Sequence, residues 1–255
     1  MTTPRNGTGA RNPPTIAASA ADSSLRTSGF EADDRDRRAA DERRRIADQF
    51  ASRFKYELDA AGLPHRHVLK AKANELHRGE DGRRWRETYE RLRPKLSGDA
   101  LIALLGPRGT GKTQMGVCWI VDLIKRVARH GGGSYGVARY VKAGDLLREV
   151  RATFQRDSRE TDSDAIRRFA SYHLLVIDEL HELGSEFDSR TVTSIVDARY
   201  DACRSTVLIS NETKPAFEYS AGPSIVSRMI ETGEVVICDW PSFRHAKDGQ
   251  ATREE

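Results

Sequence analysis

Eight consecutive residues constrain this chain more than any others: Gly106, Pro107, Arg108, Gly109, Thr110, Gly111, Lys112 and Thr113. Their spacing, Gly-x4-Gly-Lys-[Ser/Thr], is the phosphate-loop pattern, which demands a strand, a tight glycine turn and a helix in that order. The flanks agree. Leu101–Leu105 is an apolar run, and Met115, Val117, Trp119, Ile120 and Leu123 follow at helical spacing. Gly109 and Gly111 let backbone N–H groups turn inward around an anion, and a helix starting near Lys112 aims its positive dipole end at the same place. Lys112 is expected to reach the β- and γ-phosphates of ATP, and the Thr113 hydroxyl to ligate Mg2+. Gln114 completes the nucleotide-binding run.

A strand before a phosphate loop needs other strands beside it. Short apolar runs recur at Val137–Val141, Leu174–Ile177, Thr206–Ser210 and Val235–Cys238, separated by amphipathic stretches. That alternation predicts an α/β fold with a mostly parallel sheet and crossover helices. The run Leu174-Leu-Val-Ile-Asp178-Glu179 reads as a buried strand with two acids at its C-terminal edge, where open α/β sheets bind ligands. Asp178 is expected to hold the metal and Glu179 to polarise an attacking water as general base. Asn211 ends the next strand and could touch the γ-phosphate, or it could simply form a turn. Arg228, in Ser224-Ile-Val-Ser-Arg-Met-Ile230, reads either as a surface residue or as a cation aimed at a neighbouring subunit's γ-phosphate.

Upstream of Ser97 the composition differs. Residues 1–30 are rich in small and polar types, which favours disorder, and the tail is drawn at 1–38. Residues 39–96 read as a small helical module for partner binding. It carries Ile46, Phe50, Phe54 and Leu58 at helical spacing, a stop at Gly62 and Pro64, and a second basic helical stretch from about His67 to Arg93. Residues 97–245 form the nucleotide-binding unit, and 246–255 a flexible tail. Across Ala51–Gly98 there are 12 basic and 7 acidic residues. Trp85 in this region could pack or stack on a base, while Trp119, Trp240, Cys118 and Cys203 read as core.

Formal net charge is +4, and charged residues make up 31% of the chain. No apolar run approaches the ~20 residues that span a bilayer, so no membrane partner is expected. Three scattered cysteines do not make a disulfide framework, and a cytoplasmic setting is the default. The His65-Arg-His67 and His181-Glu182 pairs lack further ligands at metal spacing. Between Gly144 and Ser171 the arginines, among them Arg148, Arg151 and Arg156, suit a DNA phosphate track. The interspersed Glu149, Asp157, Glu160, Asp162 and Asp164 equally suit a solvated helical hairpin.

The segments GPRGTGKTQ, RYVKAGDLL, HLLVIDELHEL, VDARY followed by VLISN, and SRMIETGEVVICDWPSFR resemble the AAA+ ATPases, and within them the DnaC/IstB-like group. The upstream Ala61-Gly-Leu-Pro-His-Arg is similar to the segment preceding the ATPase in these proteins. The resemblance implies a parallel five-stranded sheet in a three-layer P-loop fold without a C-terminal lid. It also implies Walker A and B motifs at Gly106–Thr113 and Asp178–Glu179, a sensor-1 Asn211 and an arginine finger at Arg228. No sensor-2 arginine is assigned. The function implied is an ATPase of DNA replication that binds single-stranded DNA, assembles in an ATP-dependent oligomer and loads a replicative DNA helicase. A transposition helper acting on duplex DNA with a transposase, and a nucleotide-switched adaptor with little turnover, are the alternatives. A small-molecule kinase would need a lid over an acceptor site, and no segment provides one.

Overall fold

The computed structural model describes residues 18–72, 79–130 and 136–244. The chain divides into two compact units between Gln49 and Phe50. In the first, helix α1 (Ala18–Ala60) begins well inside the segment expected to be a disordered tail. Its Ala, Ser, Arg and Glu content costs little in a helix, and Gly29 is the only strong breaker. Side chains from Arg37 to Gln49 are exposed. The rest of the tail expectation, and the flexible tail at 246–255, lie outside the described residues.

The second unit is built on five parallel strands: β1 (Leu101–Leu105), β2 (Ala138–Lys142), β3 (Leu174–Asp178), β4 (Ser205–Ile209) and β5 (Glu234–Ile237). Their order is β2-β3-β4-β1-β5, and each boundary falls within one residue of an apolar run in the sequence. β1, β3 and β4 are buried throughout, because both faces of the sheet are covered. One face packs α2 (His65–Lys72), α3 (Gly79–Leu92) and α4 (Lys112–His130) over Ile102, Leu104, Val176, Val207 and Ile209. The other packs α5 (Ala143–Ala152), α6 (Asp162–Ser171), α7 (Glu186–Asp201) and α8 (Lys214–Thr232) over Ala103, Leu105, Leu175, Ile177 and Leu208. The expected α/β parallel sheet is therefore the observed one. Among the described residues no helix follows β5.

The helical module drawn at 39–96 is not a unit of its own. Residues from Phe50 onward share the core of the sheet. Trp85, Tyr89 and Leu92 of α3 are buried, and Trp85, Tyr89 and Trp119 stack in succession with centroids 5.5 and 5.8 Å apart. Of the apolar stripe read in α1, Phe54 and Leu58 pack against this core, whereas Ile46 is exposed. Trp85 is core, not a base-stacking platform. Glu57, buried near the end of α1, accepts hydrogen bonds from the N–H groups of Gly136 (3.1 Å) and Val137 (3.2 Å). The Ala61 carbonyl accepts from Tyr140 N at 2.8 Å and so pairs part of the exposed edge of β2. Cys203 also departs from expectation. It is exposed, beyond the end of α7 and at φ 50°, whereas Cys118 and Cys238 are buried.

One buried cation braces the second face. Arg199 of α7 is fully buried and donates to Thr206 Oγ1 (2.8 Å), to the carbonyls of Phe169 (2.9 Å), Ala170 (3.3 Å) and Tyr172 (2.8 Å), and to Ser205 O. Burial pulls its pKa down to about 9, so it remains charged at neutral pH. It ties the end of α6 to the start of β4.

Candidate nucleotide site

The loop Gly106–Gly111 joins β1 to α4 with three glycines at positive φ: Gly106 (125°), Gly109 (90°) and Gly111 (82°). A side chain at Gly106 would come within 2.6 Å of the Cys238 carbonyl, and one at Gly109 within 1.9 Å of Ser242 Oγ. Glycine is needed at both for conformation and for space. The loop is fixed from outside by two indoles. Trp85 Nε1 donates to Gly111 O at 3.1 Å and Trp240 Nε1 to Thr110 O at 2.8 Å. Thr110 closes the turn with a 3.1 Å bond to Pro107 O.

Lys112, buried at the start of α4, donates to Gly106 O (2.6 Å) and Pro107 O (2.7 Å). Its pKa lies below the ordinary lysine value, chiefly through burial and also through the nearby Arg244 charge. Thr113 Oγ1 donates to Asp178 Oδ2 at 2.6 Å, joining the helix start to the end of β3. Tyr140 of β2 donates to that same oxygen at 2.9 Å, and Glu179 N donates to Asp178 Oδ1 at 2.7 Å. Burial and the Asp178 charge push the Tyr140 phenol well above its usual range, so it stays a donor. Glu179 itself is in the left-handed region (φ 61°, ψ 39°), a costly conformation for a residue with a Cβ. Its carboxylate pairs with Lys142 Nζ at 3.0 Å. The Asn211 amide lies 3.3 Å from His181 Nε2.

These groups face one cavity of about 390 Å³. Arg108, Gly109, Gly111, Lys112, Thr113, Gln114, Asp178, Glu179 and Asn211 all line it. Sequence reading did not assign its other walls: His67 and Lys70 from α2, Ile209 from β4, and Phe243 and Arg244 after β5. His67 Nδ1 is 2.8 Å from Gln114 Oε1, while Gln114 Nε2 donates back to His67 O at 3.1 Å. The only sequence signals for these walls were the segments around Pro64 and Ser242, which carried a resemblance but no role. Thr113 and Asp178 supply hard oxygen donors next to the phosphate loop, which fits Mg2+. Among the described residues no group of three His, Cys, Asp or Glu side chains could hold a metal alone.

Such a cradle of inward-turned glycines, lysine, hydroxyl and paired acids at the strand edge suits a nucleoside triphosphate. The model of the IstB-like ATP binding protein family matches residues 34–250. The chain belongs to that family. Curated relatives include the replicative helicase loader DnaC of Buchnera aphidicola subsp. Acyrthosiphon pisum, 27% identical over 111 residues. The match covers 43% of this chain and 45% of that protein, and the counterpart from the Schizaphis graminum subspecies is similar at 27% over 106 residues. The chain thus spans less than half the length of the curated relatives it matches. Among solved structures, the DnaC helicase loader superposes with a TM-score of 0.55 at 17% identity, covering 68% of this chain and 99% of that one. Domain III of the Thermotoga maritima initiation protein DnaA gives 0.53 at 14% identity, with 70% and 69% covered. These likenesses establish the AAA+ P-loop fold.

Two sets of residues from the sequence lie outside the cavity. Arg228 sits in the second half of α8, beyond a break at Gly222 (φ 80°). It pairs with Asp197 at 3.2 Å, donates to Ser224, and covers the Tyr200 ring at 5.1 Å. The arginines between Gly144 and Ser171 are largely matched by acids. Arg148 pairs with Asp145, Arg151 with Asp188 while lying over Phe187, and Arg168 with Glu149 and Glu160. Arg156 is exposed in the turn after α5. Among the described residues no helix is long and apolar enough to cross a membrane.

Proposed function

We propose that this protein hydrolyses ATP with Mg2+, binds single-stranded DNA and loads a replicative DNA helicase. The observation that carries the ATPase reading is the convergence of Lys112, Thr113, Asp178, Glu179 and Asn211 on one cavity. Lys112 holds the phosphates, and Thr113 with Asp178 holds the metal, which supplies Lewis-acid stabilisation of phosphate charge when bound. Glu179 accepts the proton of the attacking water, once its carboxylate turns from Lys142 to the cavity. Asn211 orients that water or the γ-phosphate.

Arg228 completes the site of a neighbouring subunit in an ATP-dependent oligomer. Its place on α8, away from its own chain's cavity, supports action in trans. The exposed side chains of α1 from Arg37 to Gln49 serve partner binding, and Arg148, Arg151 and Arg156 contact DNA. Support for helicase loading is the similarity to DnaC loaders.

The test is the steady-state ATPase rate without DNA, with single strands and with duplex. Stimulation chiefly by single strands is expected. Stimulation chiefly by duplex would favour a transposition helper working with a transposase. A measurable rate that neither DNA changes would remove DNA as effector and favour the adaptor reading. Charge reversal at Arg148 and Arg151 is expected to weaken DNA binding, and unchanged affinity would remove that face from the DNA path.

A further inference from the structure

Asn211 stands on a backbone that is pinned on both sides. Ser210 is buried, and its N–H donates to Leu104 O at 3.1 Å, which ties the end of β4 to β1. Ser210 Oγ donates to Glu212 Oε2 at 2.7 Å and accepts from Glu212 N at 3.2 Å. None of these bonds holds the Asn211 side chain. Among the described residues its amide meets one partner, His181, with Nδ2 3.3 Å from Nε2 of the ring. An unheld amide swings freely, because the second side-chain torsion of asparagine has no sharp preference. The imidazole is therefore what selects its orientation.

His181 is itself held in place. β3 lies beside β4 in parallel register, with Ile177 opposite Leu208, so both strands end at the same edge of the sheet. At Glu179 the chain passes through the left-handed region into the short 3-10 turn Leu180–Glu182, which carries His181 to the end of β4. Leu180 is buried in the core of the second face, Leu183 packs against that core, and Leu183 N donates to Leu180 O at 3.2 Å. His181 does not line the cavity, whereas Asn211 does. Its Nδ1 is buried and, among the described residues, has no hydrogen-bond partner. An unpaired buried polar atom costs stability, so packing alone does not account for an imidazole here. What the ring adds is an acceptor. With its single proton on Nδ1, Nε2 accepts from the Asn211 amide. The rest of that amide is left for the cavity.

We infer that His181 is a positioning residue for Asn211, fixing its amide from behind the cavity, so that turnover depends on an imidazole that never touches the nucleotide. The inference rests on the reading of Asn211 as the group that orients the attacking water or the γ-phosphate. It also joins the two acting groups, since the turn that begins at Glu179 sets the side chain that Asn211 presents.

The experiment measures the ATPase kcat, and the Kd of a non-hydrolysable ATP analogue, for the full chain and for its His181→Leu, His181→Gln, Asn211→Ala and combined His181→Leu, Asn211→Ala forms. Leucine fills the space of the ring without offering an acceptor. Its kcat is expected to fall by about tenfold to a hundredfold, the scale on which a group misplaced by about 1 Å loses rate. The analogue Kd should stay that of the wild type, because His181 is outside the cavity lining. His181→Gln, whose Oε1 can accept from the amide, should recover part of the loss. In the combined variant the His181 change should cost nothing beyond Asn211→Ala, because both act through one group. Wild-type kcat in His181→Leu would overturn the inference. So would losses that multiply in the combined variant, or analogue binding that weakens in step with kcat. Full turnover by Asn211→Ala would instead overturn the reading of Asn211 from which the inference starts.

Discussion

Tyr140 and Thr113 donate hydrogen bonds to one and the same oxygen, Oδ2 of Asp178, at 2.9 and 2.6 Å. The carboxylate is thereby aimed from β2 on one side and from the phosphate-loop helix on the other. In the proposed Mg2+ site this makes Tyr140 a positioning residue, like outer-shell donors that orient metal ligands. Tyr140→Phe should raise the Mg2+ concentration for half-maximal ATPase by about tenfold. The lost bond should cost only about 1 kcal/mol of stability. A magnesium titration beside a thermal melt separates the two, and an unchanged magnesium dependence would count against the positioning role.

Glu179→Gln keeps the size of the side chain and removes its basicity. ATP should still bind, while turnover falls by about 10² to 10⁴, the usual weight of a general base. Single-turnover kinetics would show bound ATP persisting. Normal hydrolysis by this variant would refute the assignment.

The depressed pKa of Lys112 has a consequence with a definite sign. In the proposed site the ammonium form is the one that binds phosphate, and burial makes it lose its proton at lower pH than an ordinary lysine. ATP affinity should therefore decline with rising alkaline pH before the ordinary lysine range of about 10.4 is reached. Phosphate charge favours the ammonium, so binding in that window should take up protons. Calorimetry in buffers of different ionisation enthalpy measures this uptake.

The trans role of Arg228 is tested by mixing two inactive proteins. Arg228→Ala lacks the finger and Lys112→Ala lacks the phosphate clamp, yet a mixed pair forms one complete site. Recovery of ATPase on mixing is expected. No recovery, in a mixture shown by sedimentation to co-assemble, would place Arg228 outside the site.

Arg199→Met should be the most damaging of these substitutions to stability. It removes the donor to four carbonyls and a hydroxyl at a fully buried position. A loss of about 3 kcal/mol or more is expected, since unpaired buried acceptors cost about 1–3 kcal/mol each. Denaturant midpoints give the value, and a change under about 0.5 kcal/mol, the range of ordinary surface substitutions, would show that water replaces the guanidinium freely.

Some of this protein was written locally in its sequence. A phosphate loop needs its glycines, lysine and threonine as neighbours, so Gly106–Thr113 could be read directly, and a buried strand ending in two acids identified Asp178 and Glu179. The five apolar runs gave the strands to within a residue; the central β1, β3 and β4 are covered on both faces and buried at every position, while the edge strands β2 and β5 admit Arg139, Lys142 and Glu234. The rest depended on chain segments far apart in sequence. Nothing near Tyr140 reveals that its hydroxyl meets a carboxylate 38 residues on. Trp85 became core because α3 lies against α4, which periodicity alone does not decide. Arg199 reads as one more surface arginine of an amphipathic helix until α6 and β4 converge on it. Arg244 closes a segment that carried a family resemblance but no role, and the parallel pairing of β5 beside β1 brings that segment to the cavity wall. Local spacing determines which residues can hold a phosphate, whereas tertiary packing alone decides which distant side chains stand close enough to share it.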